Sequence, residues 1–271
     1  MEVEIELAAI DKGAGPPAIL VHGGVFHAAP AWARNIGPLA AAGFRVIAPD
    51  RRGHGRSEPG DADHIPLYLH ANDLRLTLEL RDAAVGLNLI GVSYGALVCI
   101  EFARNWPERV DSMILVEPPL FTWLKADPDY REWYERFEEI ARTRADLPLE
   151  EWMPKWLSLM DSRMAKEVNP ASPAWRIVEK QAPLIFKEEA GWQYELDPGS
   201  LGSFDFPVLV INGDMSEPAM QAIGEQVVSR LPNATHSFIP GGGHDPHARN
   251  FEDFNATIID WLAKNAKPEA H

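Results

Sequence analysis

The sequence predicts an α/β fold in which a mostly parallel central sheet is flanked by helices. Short apolar segments that suit buried strands alternate along the chain with longer segments of helical character. This alternation is typical of a parallel sheet that is covered by helices on both faces. Residues 88–99 fit the same scheme, because they place a serine flanked by glycines between an apolar run and a helical one.

The strands and helices follow one another in a simple order. Residues 2–10 alternate apolar and acidic side chains, as a half-exposed edge strand does. The apolar segments that we predict to be buried strands are residues 18–21, 45–48, 87–92, 112–116, 206–211 and 235–239. The predicted helices are a segment that ends near residue 42 and residues 71–84, 94–104, 218–231 and 251–264.

Ser93 is the candidate nucleophile. The segment Gly91-Val92-Ser93-Tyr94-Gly95 fits the G-x-S-x-G pattern, in which a serine lies at a sharp turn between a strand and a helix. The two glycines allow the strand and the helix to approach closely, where a larger side chain would clash. The alternative interpretation is a Gly-Ser turn that leads into a purely structural helix.

Composition favours a globular enzyme and argues against several kinds of partner. The chain has 271 residues, of which 46% are hydrophobic, enough for one large domain or for a domain with an insertion. Its net charge of −15 disfavours binding to nucleic acid or to an anionic membrane, since both need a basic surface. No apolar run is long enough for a membrane span, and the acidic start does not resemble a signal peptide.

The single cysteine indicates the cellular compartment in which the protein is expected. Cys99 has no partner for an internal disulfide, so the sequence suits a reducing compartment, and we expect a cytoplasmic protein. Cys99 lies on the helix predicted after Ser93, where a small buried apolar role is expected. We expect a monomer or a homodimer.

Four motifs together resemble the α/β-hydrolase family. They are, in chain order, His22-Gly23-Gly24, the loop Pro-Asp-Arg-Arg-Gly-His-Gly-Arg-Ser at residues 49–57, the G-x-S-x-G segment, and Gly243-His244. The resemblance covers residues 1–120 and 200–265. It implies the α/β-hydrolase fold, with a core formed by residues 1–120 and 201–271.

Residues 121–200 interrupt the alternation of strands and helices, and the resemblance implies that they form a helical cap over the active site. Six of the nine tryptophans lie in this segment, at positions 123, 133, 152, 156, 175 and 192. Some of its aromatic side chains should line a substrate pocket, while most should join the cap to the core. Prolines at positions 148, 154, 170, 173 and 183 predict short helices joined by corners.

His244 is the candidate base, because a serine hydroxyl needs a neighbouring imidazole to take its proton. It lies on a glycine-rich loop, where the family places its histidine. His236 and His247 compete for this role, whereas the resemblance gives His22 and His54 structural or pocket-lining roles.

Backbone N–H groups are expected to hold the oxyanion of the tetrahedral intermediate. One should come from Tyr94, the residue after the nucleophile. The other should come from Gly24 or Val25, on the loop after an earlier strand.

The acid of the triad is ambiguous. The family usually places an aspartate where this sequence has Ser216, and a serine cannot carry the charge. Asp214 is two residues earlier, and Glu217 is one residue late. Glu117 follows a predicted buried strand, and some branches of the family, including certain lactone hydrolases and dehalogenases, supply the acid from that strand end. We favour Glu117, with Asp214 as the alternative.

The resulting hypothesis is a cofactor-free serine hydrolase that acts on a carboxylic ester or lactone with little or no charge. Ser93 would attack the carbonyl, His244 would transfer the proton, and Glu117 would orient His244. The sequence has no H-x-x-E-H or C-x-x-C spacing for a metal, and no G-x-G-x-x-G after a strand for a dinucleotide. We therefore expect neither a metal nor a cofactor.

Two alternatives stay open. A hydrolase of carbon–carbon bonds in diketones would use the same triad. A ligand-binding or sensor protein on the same fold is a different class, and the serine at position 216 is the feature that favours it. The family's enzymes with an aspartate nucleophile are disfavoured, since Ser93 occupies that position.

Overall fold

The computed structural model describes residues 4–61, 63–188 and 194–267. Within them lies a seven-stranded sheet. Its strands are β1 (Ala9–Lys12), β2 (Pro17–Val21), β3 (Arg45–Pro49), β4 (Leu87–Val92), β5 (Val110–Val116), β6 (Val208–Gly213) and β7 (Ala234–Ile239). The spatial order is β1-β3-β2-β4-β5-β6-β7, and only β1 pairs antiparallel with its neighbour. The predicted mostly parallel sheet is confirmed.

The described residues form α-helices, some of which cover the two faces of this sheet. They are α1 (Ala28–Ala31), α2 (Ile36–Ala41), α3 (Leu67–Glu79), α4 (Tyr94–Asn105), α5 (Arg131–Arg142), α6 (Leu149–Leu157), α7 (Ser162–Lys166), α8 (Pro173–Lys187), α9 (Pro218–Arg230), α10 (Pro246–Arg249) and α11 (Phe251–Asn265). Among the described residues, no helix is long and apolar enough to cross a membrane.

The core consists of two apolar layers, one on each face of the sheet. Along β2, Ile19 and Val21 join the layer that contains side chains of α3, α4 and α9, while Ala18 and Leu20 join the layer that contains those of α1, α2 and α11. Because successive side chains of a strand point to opposite faces, a strand buried on both faces has a continuous apolar sequence. This burial explains why the central strands were predictable from short apolar runs.

The N-terminal strand predicted over residues 2–10 is wrong in its position. β1 begins at Ala9, and residues 1–3 lie outside the described part of the chain. The backbone N–H of Ile5 donates to Asp73 Oδ1 over 2.9 Å, and that of Leu7 donates to Thr77 Oγ1 over 2.8 Å. At Ile5 and Leu7 the backbone is therefore hydrogen-bonded to side chains of α3 and not to a neighbouring strand.

The helix predicted over residues 71–84 is displaced in the structure. It is α3, which begins at Leu67 and ends at Glu79. Asp82, just beyond its end, has a φ of +52°, a left-handed conformation that a helix does not contain. The chain thus leaves the helix before the apolar pattern ends.

Between β5 and β6 the described residues form α5 to α8 and short 3₁₀ turns, which are joined by loops. The boundaries of the cap at residues 121 and 200 stay predictions, and Trp192 lies outside the described residues. Pro148 and Pro173 stand at helix starts, as the predicted corners require. Pro154 and Pro183, in contrast, lie inside α6 and α8.

Candidate active site

The structure places Ser93 at a sharp turn between β4 and α4. Its φ of +51° is unusual for a residue with a side chain and is typical of strained turns at functional sites. A Cβ on Gly91 would overlap the backbone of Gly95, and a Cβ on Gly95 would overlap the carbonyl oxygen of Val21 at the end of β2. Both glycines are thus required by close approach of backbone to backbone, as the sequence predicts.

His244 stands between Ser93 and Glu117. Its Nε2 is 3.0 Å from Ser93 Oγ, and its Nδ1 is 3.4 Å from Glu117 Oε2. His244 is 6% exposed and Glu117 is fully buried. A hydroxyl, an imidazole and a carboxylate are therefore aligned in the order that activates a serine nucleophile.

Glu117 directly follows β5 and has a φ of +50°. Its Oε1 accepts hydrogen bonds from the backbone N–H of Gly213 (2.8 Å), from Asn212 Nδ2 (3.1 Å) and from the hydroxyl of Ser216 (2.7 Å). A buried carboxylate is unfavourable unless it is hydrogen-bonded, so these donors stabilise the charge. The other oxygen, Oε2, faces His244.

Asp214, the alternative acid, is not brought to His244. Its backbone N–H donates to the carbonyl oxygen of Ile239 over 3.2 Å, and its side chain is exposed to solvent. Glu217 is also directed elsewhere, because its Oε1 accepts from the backbone N–H of Ser162 over 3.2 Å. Of the three carboxylates considered, Glu117 is the one beside His244.

The residues predicted to form the oxyanion hole lie around one cavity with the serine and the histidine. Gly24, Val25 and Tyr94 line it together with Ser93 and His244. Tyr94 is the first residue of α4, where backbone N–H groups have no partner within the helix and the helix dipole favours negative charge. A Cβ on Gly24 would meet open space, so this glycine leaves room beside the serine.

The cavity has a volume of about 270 Å³ and mostly apolar walls. Apolar side chains from both the core and the helices between β5 and β6 form these walls: Val25, Phe26, Phe121, Met153, Trp156, Leu157, Met160, Met164 and Ile185. Its acidic lining residues are Glu188 and Asp245, and no lysine or arginine lines it among the described residues. The sequence did not identify these wall residues individually, because helix packing decides which side chains face the cavity.

The other histidines considered from the sequence, the competitors His236 and His247 and also His22 and His54, differ from His244 in their surroundings. His22 Nε2 accepts the backbone N–H of Arg51 over 2.9 Å, and His236 Nε2 is 2.9 Å from Asn212 Oδ1. Burial lowers the pKa of His54 to about 4, with the charge of Arg51 acting in the same direction. Burial and the neighbouring His244 lower the pKa of His247 to about 3. These last two side chains are therefore neutral near pH 7.

The described residues contain no group of three or more His, Cys, Asp or Glu side chains that could hold a metal ion. Cys99 is fully buried, and burial raises the pKa of its thiol.

Comparison with known proteins identifies the family. The model of the alpha/beta hydrolase fold family matches residues 17–250. A 2-hydroxy-6-oxo-6-phenylhexa-2,4-dienoate hydrolase of Burkholderia cepacia is 35% identical over 276 residues, covering 93% of this chain and 90% of that one. A Variovorax paradoxus protein that carries a carbamate hydrolase name is 27% identical over 260 residues, with 93% of each chain covered.

A solved structure agrees with these relatives. The thermophilic esterase of Thermogutta terrifontis, in a malate-bound structure, superposes with a TM-score of 0.73 at 26% identity, covering 96% of this chain and 94% of that one. The sequence motifs, the sheet order and the family match all agree. The chain belongs to the α/β-hydrolase fold family.

Proposed function

We propose that this protein is a serine hydrolase that cleaves an uncharged carboxylic ester or lactone through an acyl-enzyme. The observation that carries the proposal is the position of His244, with Nε2 3.0 Å from Ser93 Oγ and Nδ1 facing the buried Glu117. This geometry supports proton transfer from the serine to the histidine during attack.

The proposed reaction has two halves. Ser93 attacks the carbonyl carbon while His244 Nε2 takes the hydroxyl proton, and Glu117 stabilises the imidazolium that forms. The N–H groups of Tyr94 and of Gly24 or Val25 hold the oxyanion. His244 then gives its proton to the leaving alkoxide, and a water activated by the same imidazole releases the acid from Ser93.

The cavity supports a small, uncharged substrate. Its volume of about 270 Å³ lies just below that of pockets for drug-sized ligands, which span roughly 300–1,000 Å³. Its apolar walls favour an aliphatic or aromatic group, and no lysine or arginine among the described lining residues is placed to pair with an anionic one. A short-chain ester or a small lactone meets these requirements.

A carbon–carbon bond hydrolase is the second candidate, because a 35%-identical relative is named as a hydrolase of a dienoate. Its named substrate is an anion, and the described lining of this cavity has no lysine or arginine to pair with one. The carbamate hydrolase name of another relative implies acyl transfer to water, which the same residues would perform.

The test compares the wild type with Ser93→Ala on nitrophenyl acetate, nitrophenyl butyrate, a small lactone and a phenyl-substituted dienoate. We expect the butyrate or the lactone to give the highest kcat/KM, and the variant to lose about 10³-fold or more. Ser229→Ala, on the exposed face of α9, is the matched control and should retain the wild-type rate.

Two outcomes would overturn the proposal. A higher kcat/KM for the dienoate than for every ester and lactone would assign the carbon–carbon chemistry. No turnover of any substrate, with no covalent labelling of Ser93 by a fluorophosphonate, would favour the ligand-binding alternative.

A further inference from the structure

A buried ion pair joins the end of α8 to the loop after β3. Arg51 Nη1 donates to Glu188 Oε1, and each side chain is 2% exposed. The Nε2 atoms of His54 and His70 both lie 3.1 Å from the same oxygen of Glu188. The proposed triad uses none of these four residues.

The guanidinium of Arg51 also binds the loop that leads to Gly24. Its Nη2 donates to the carbonyl oxygen of Gly23 over 2.9 Å, and its Nε donates to that of His22 over 3.2 Å. The same guanidinium stacks 4.6 Å above the ring of Tyr94. Arg51 therefore contacts the backbone that leads to Gly24 and the side chain of Tyr94, one from each of the two segments that are proposed to donate to the oxyanion.

Glu188 is the counterion that this buried cation needs. Burial lowers the pKa of His54 to about 4 and also lowers the pKa of His70, so both rings are neutral at pH 7. Burial opposes ionisation of Glu188, but Arg51 and the two histidines hold its pKa well below its usual range. Without the carboxylate, the guanidinium would be buried with no opposite charge, which is strongly unfavourable.

We propose that Arg51 is a positioning residue that sets the two halves of the oxyanion hole, and that Glu188 holds Arg51 in place. This proposal rests on the proposed acyl-transfer function. Arg51 donates to the peptide oxygens on either side of Gly23 and packs on Tyr94, so its position fixes the spacing between the two N–H donors. Glu188 directly follows α8, so α8 must pack in place before Glu188 can pair with Arg51. Packing of α8 is therefore required for the oxyanion hole to form.

A neighbouring ion pair provides a control with the same chemistry. Arg52 Nε donates to Asp73 Oδ2 and Arg52 Nη2 donates to Asp73 Oδ1, each over 2.7 Å, and both residues are buried. This pair ties the same loop to α3, away from the carbonyl groups that Arg51 holds.

The experiment replaces each pair by apolar residues, since such a replacement often preserves folding whereas removal of one partner does not. The variants are Arg51→Met/Glu188→Leu and, as the control, Arg52→Met/Asp73→Leu. Arg51→Lys is a milder variant, which keeps the ion pair but cannot donate to both carbonyls as a planar fork does. Arg52→Lys is its control.

Four quantities are measured: Tm, kcat on the best ester, KM for the same ester, and hydrogen exchange of the amides of residues 22–25 and 94–96. We expect both Arg51 variants to lower kcat by roughly 10- to 100-fold with little change in KM, since misplaced oxyanion donors act mainly on the transition state. Amide exchange should become faster in these segments. The Arg52 controls should change kcat by less than about threefold and leave the exchange of these amides unchanged.

The outcomes separate this proposal from the proposed function. If kcat and amide exchange in folded Arg51→Lys equal those of Arg52→Lys, the pair is only structural and the proposal is wrong. If the double variant does not fold, the comparison of Arg51→Lys with Arg52→Lys alone tests the proposal. If the wild type hydrolyses no ester, the proposed function fails, and the amide exchange still decides whether Arg51 positions these backbone segments.

Discussion

The hydroxyl of Ser216 donates to Oε1 of Glu117 over 2.7 Å. The resemblance to the family places Ser216 where an aspartate usually supplies the acid. In this chain, Ser216 instead donates a hydrogen bond to Glu117, the carboxylate at the end of the adjacent strand. Ser93 and Glu117 occupy equivalent places, because Val92 and Val116 pair in the parallel ladder and each is followed by a residue with a φ near +50°.

Glu117→Gln should lower kcat by roughly 10³- to 10⁴-fold, because the amide no longer stabilises the imidazolium of His244. Asp214→Asn is the matched control and should change kcat by less than about threefold, since its side chain is exposed. Steady-state kinetics on the best ester, with Tm measured for both variants, checks the assignment. A large loss of kcat in Asp214→Asn, with a small loss in Glu117→Gln, would assign the acid to Asp214 instead.

Ser216→Ala should cause a modest loss of activity, roughly 3- to 10-fold in kcat, because Glu117 keeps its other two hydrogen-bond donors. Tm should fall only slightly, as the hydroxyl is removed without leaving a charge unpaired. The measurement is kcat and thermal denaturation in parallel. A loss as large as that of Glu117→Gln would instead make Ser216 a full partner in the triad.

Gly243→Ala should disrupt the loop that carries His244. A Cβ at this position would overlap the carboxylate of Asp161, which is buried beside the loop and pairs with Arg163 over 3.0 Å. We expect the loop to shift and kcat to fall by about tenfold or more, since small displacements of a catalytic group are costly.

The control for this substitution is Gly37→Ala, where the new Cβ would meet open space within α2. That variant should keep wild-type kcat and gain a little stability, because alanine loses less backbone entropy than glycine on folding. Equal activity in the two variants would show that the close approach of Asp161 does not position His244.

Stability should fall on mild acidification. His54 and His247 have folded pKa values of about 4 and about 3, against 6.5 for an ordinary histidine. Between about pH 6.5 and 4 the unfolded chain binds protons that the folded chain does not, so each of these histidines lowers the free energy of unfolding by up to about 1.4 kcal/mol per pH unit there. Above about pH 6.5 both histidines are neutral in the folded and the unfolded chain, so this loss of stability is absent.

Thermal denaturation between pH 7.5 and 4.5 checks this dependence, using the midpoint at each pH. His247→Phe should reduce the slope of Tm against pH, whereas His64→Gln, at an exposed position, should leave it unchanged. A wild-type Tm that stays constant down to pH 4.5 would contradict the prediction.

Cys99 should not react with thiol reagents in the folded protein. It is fully buried on α4, and burial raises the pKa of its thiol, so the reactive thiolate is scarce. Titration with an aromatic disulfide should find no thiol in buffer and one thiol in denaturant. Rapid labelling in buffer, with activity retained, would reveal an access path to α4.

Residues whose local backbone pattern determines their position were predictable from the sequence. The turn at Ser93 follows from the glycines on either side, and the buried strands follow from their apolar runs. The choice between Glu117 and Asp214 depends on side-chain direction, which spacing does not determine. In the structure the side chain of Asp214 is exposed to solvent, and its backbone N–H donates to the carbonyl oxygen of Ile239.

At other positions, contacts between residues determine the structure in ways that the local sequence pattern does not predict. The predicted corner at Pro154 lies inside α6, where the adjacent Trp152 and Met153 are buried and stabilise the helix against the loss of one backbone hydrogen bond. The pair of Arg51 and Glu188 was also missed, because its members are 137 positions apart. No local motif connects residues at that separation.

The equivalent positions of Ser93 and Glu117 have a consequence for how such sites diverge. Under the proposed mechanism, an acid at the end of β5 is held in register with the proposed nucleophile by the strand ladder itself, so the loop after β6 need not supply a charge. A lineage could therefore gain a carboxylate at one strand end before losing it from the other. If Glu117 has the proposed role, a site with a carboxylate at both strand ends would stay active while the acid changes strand.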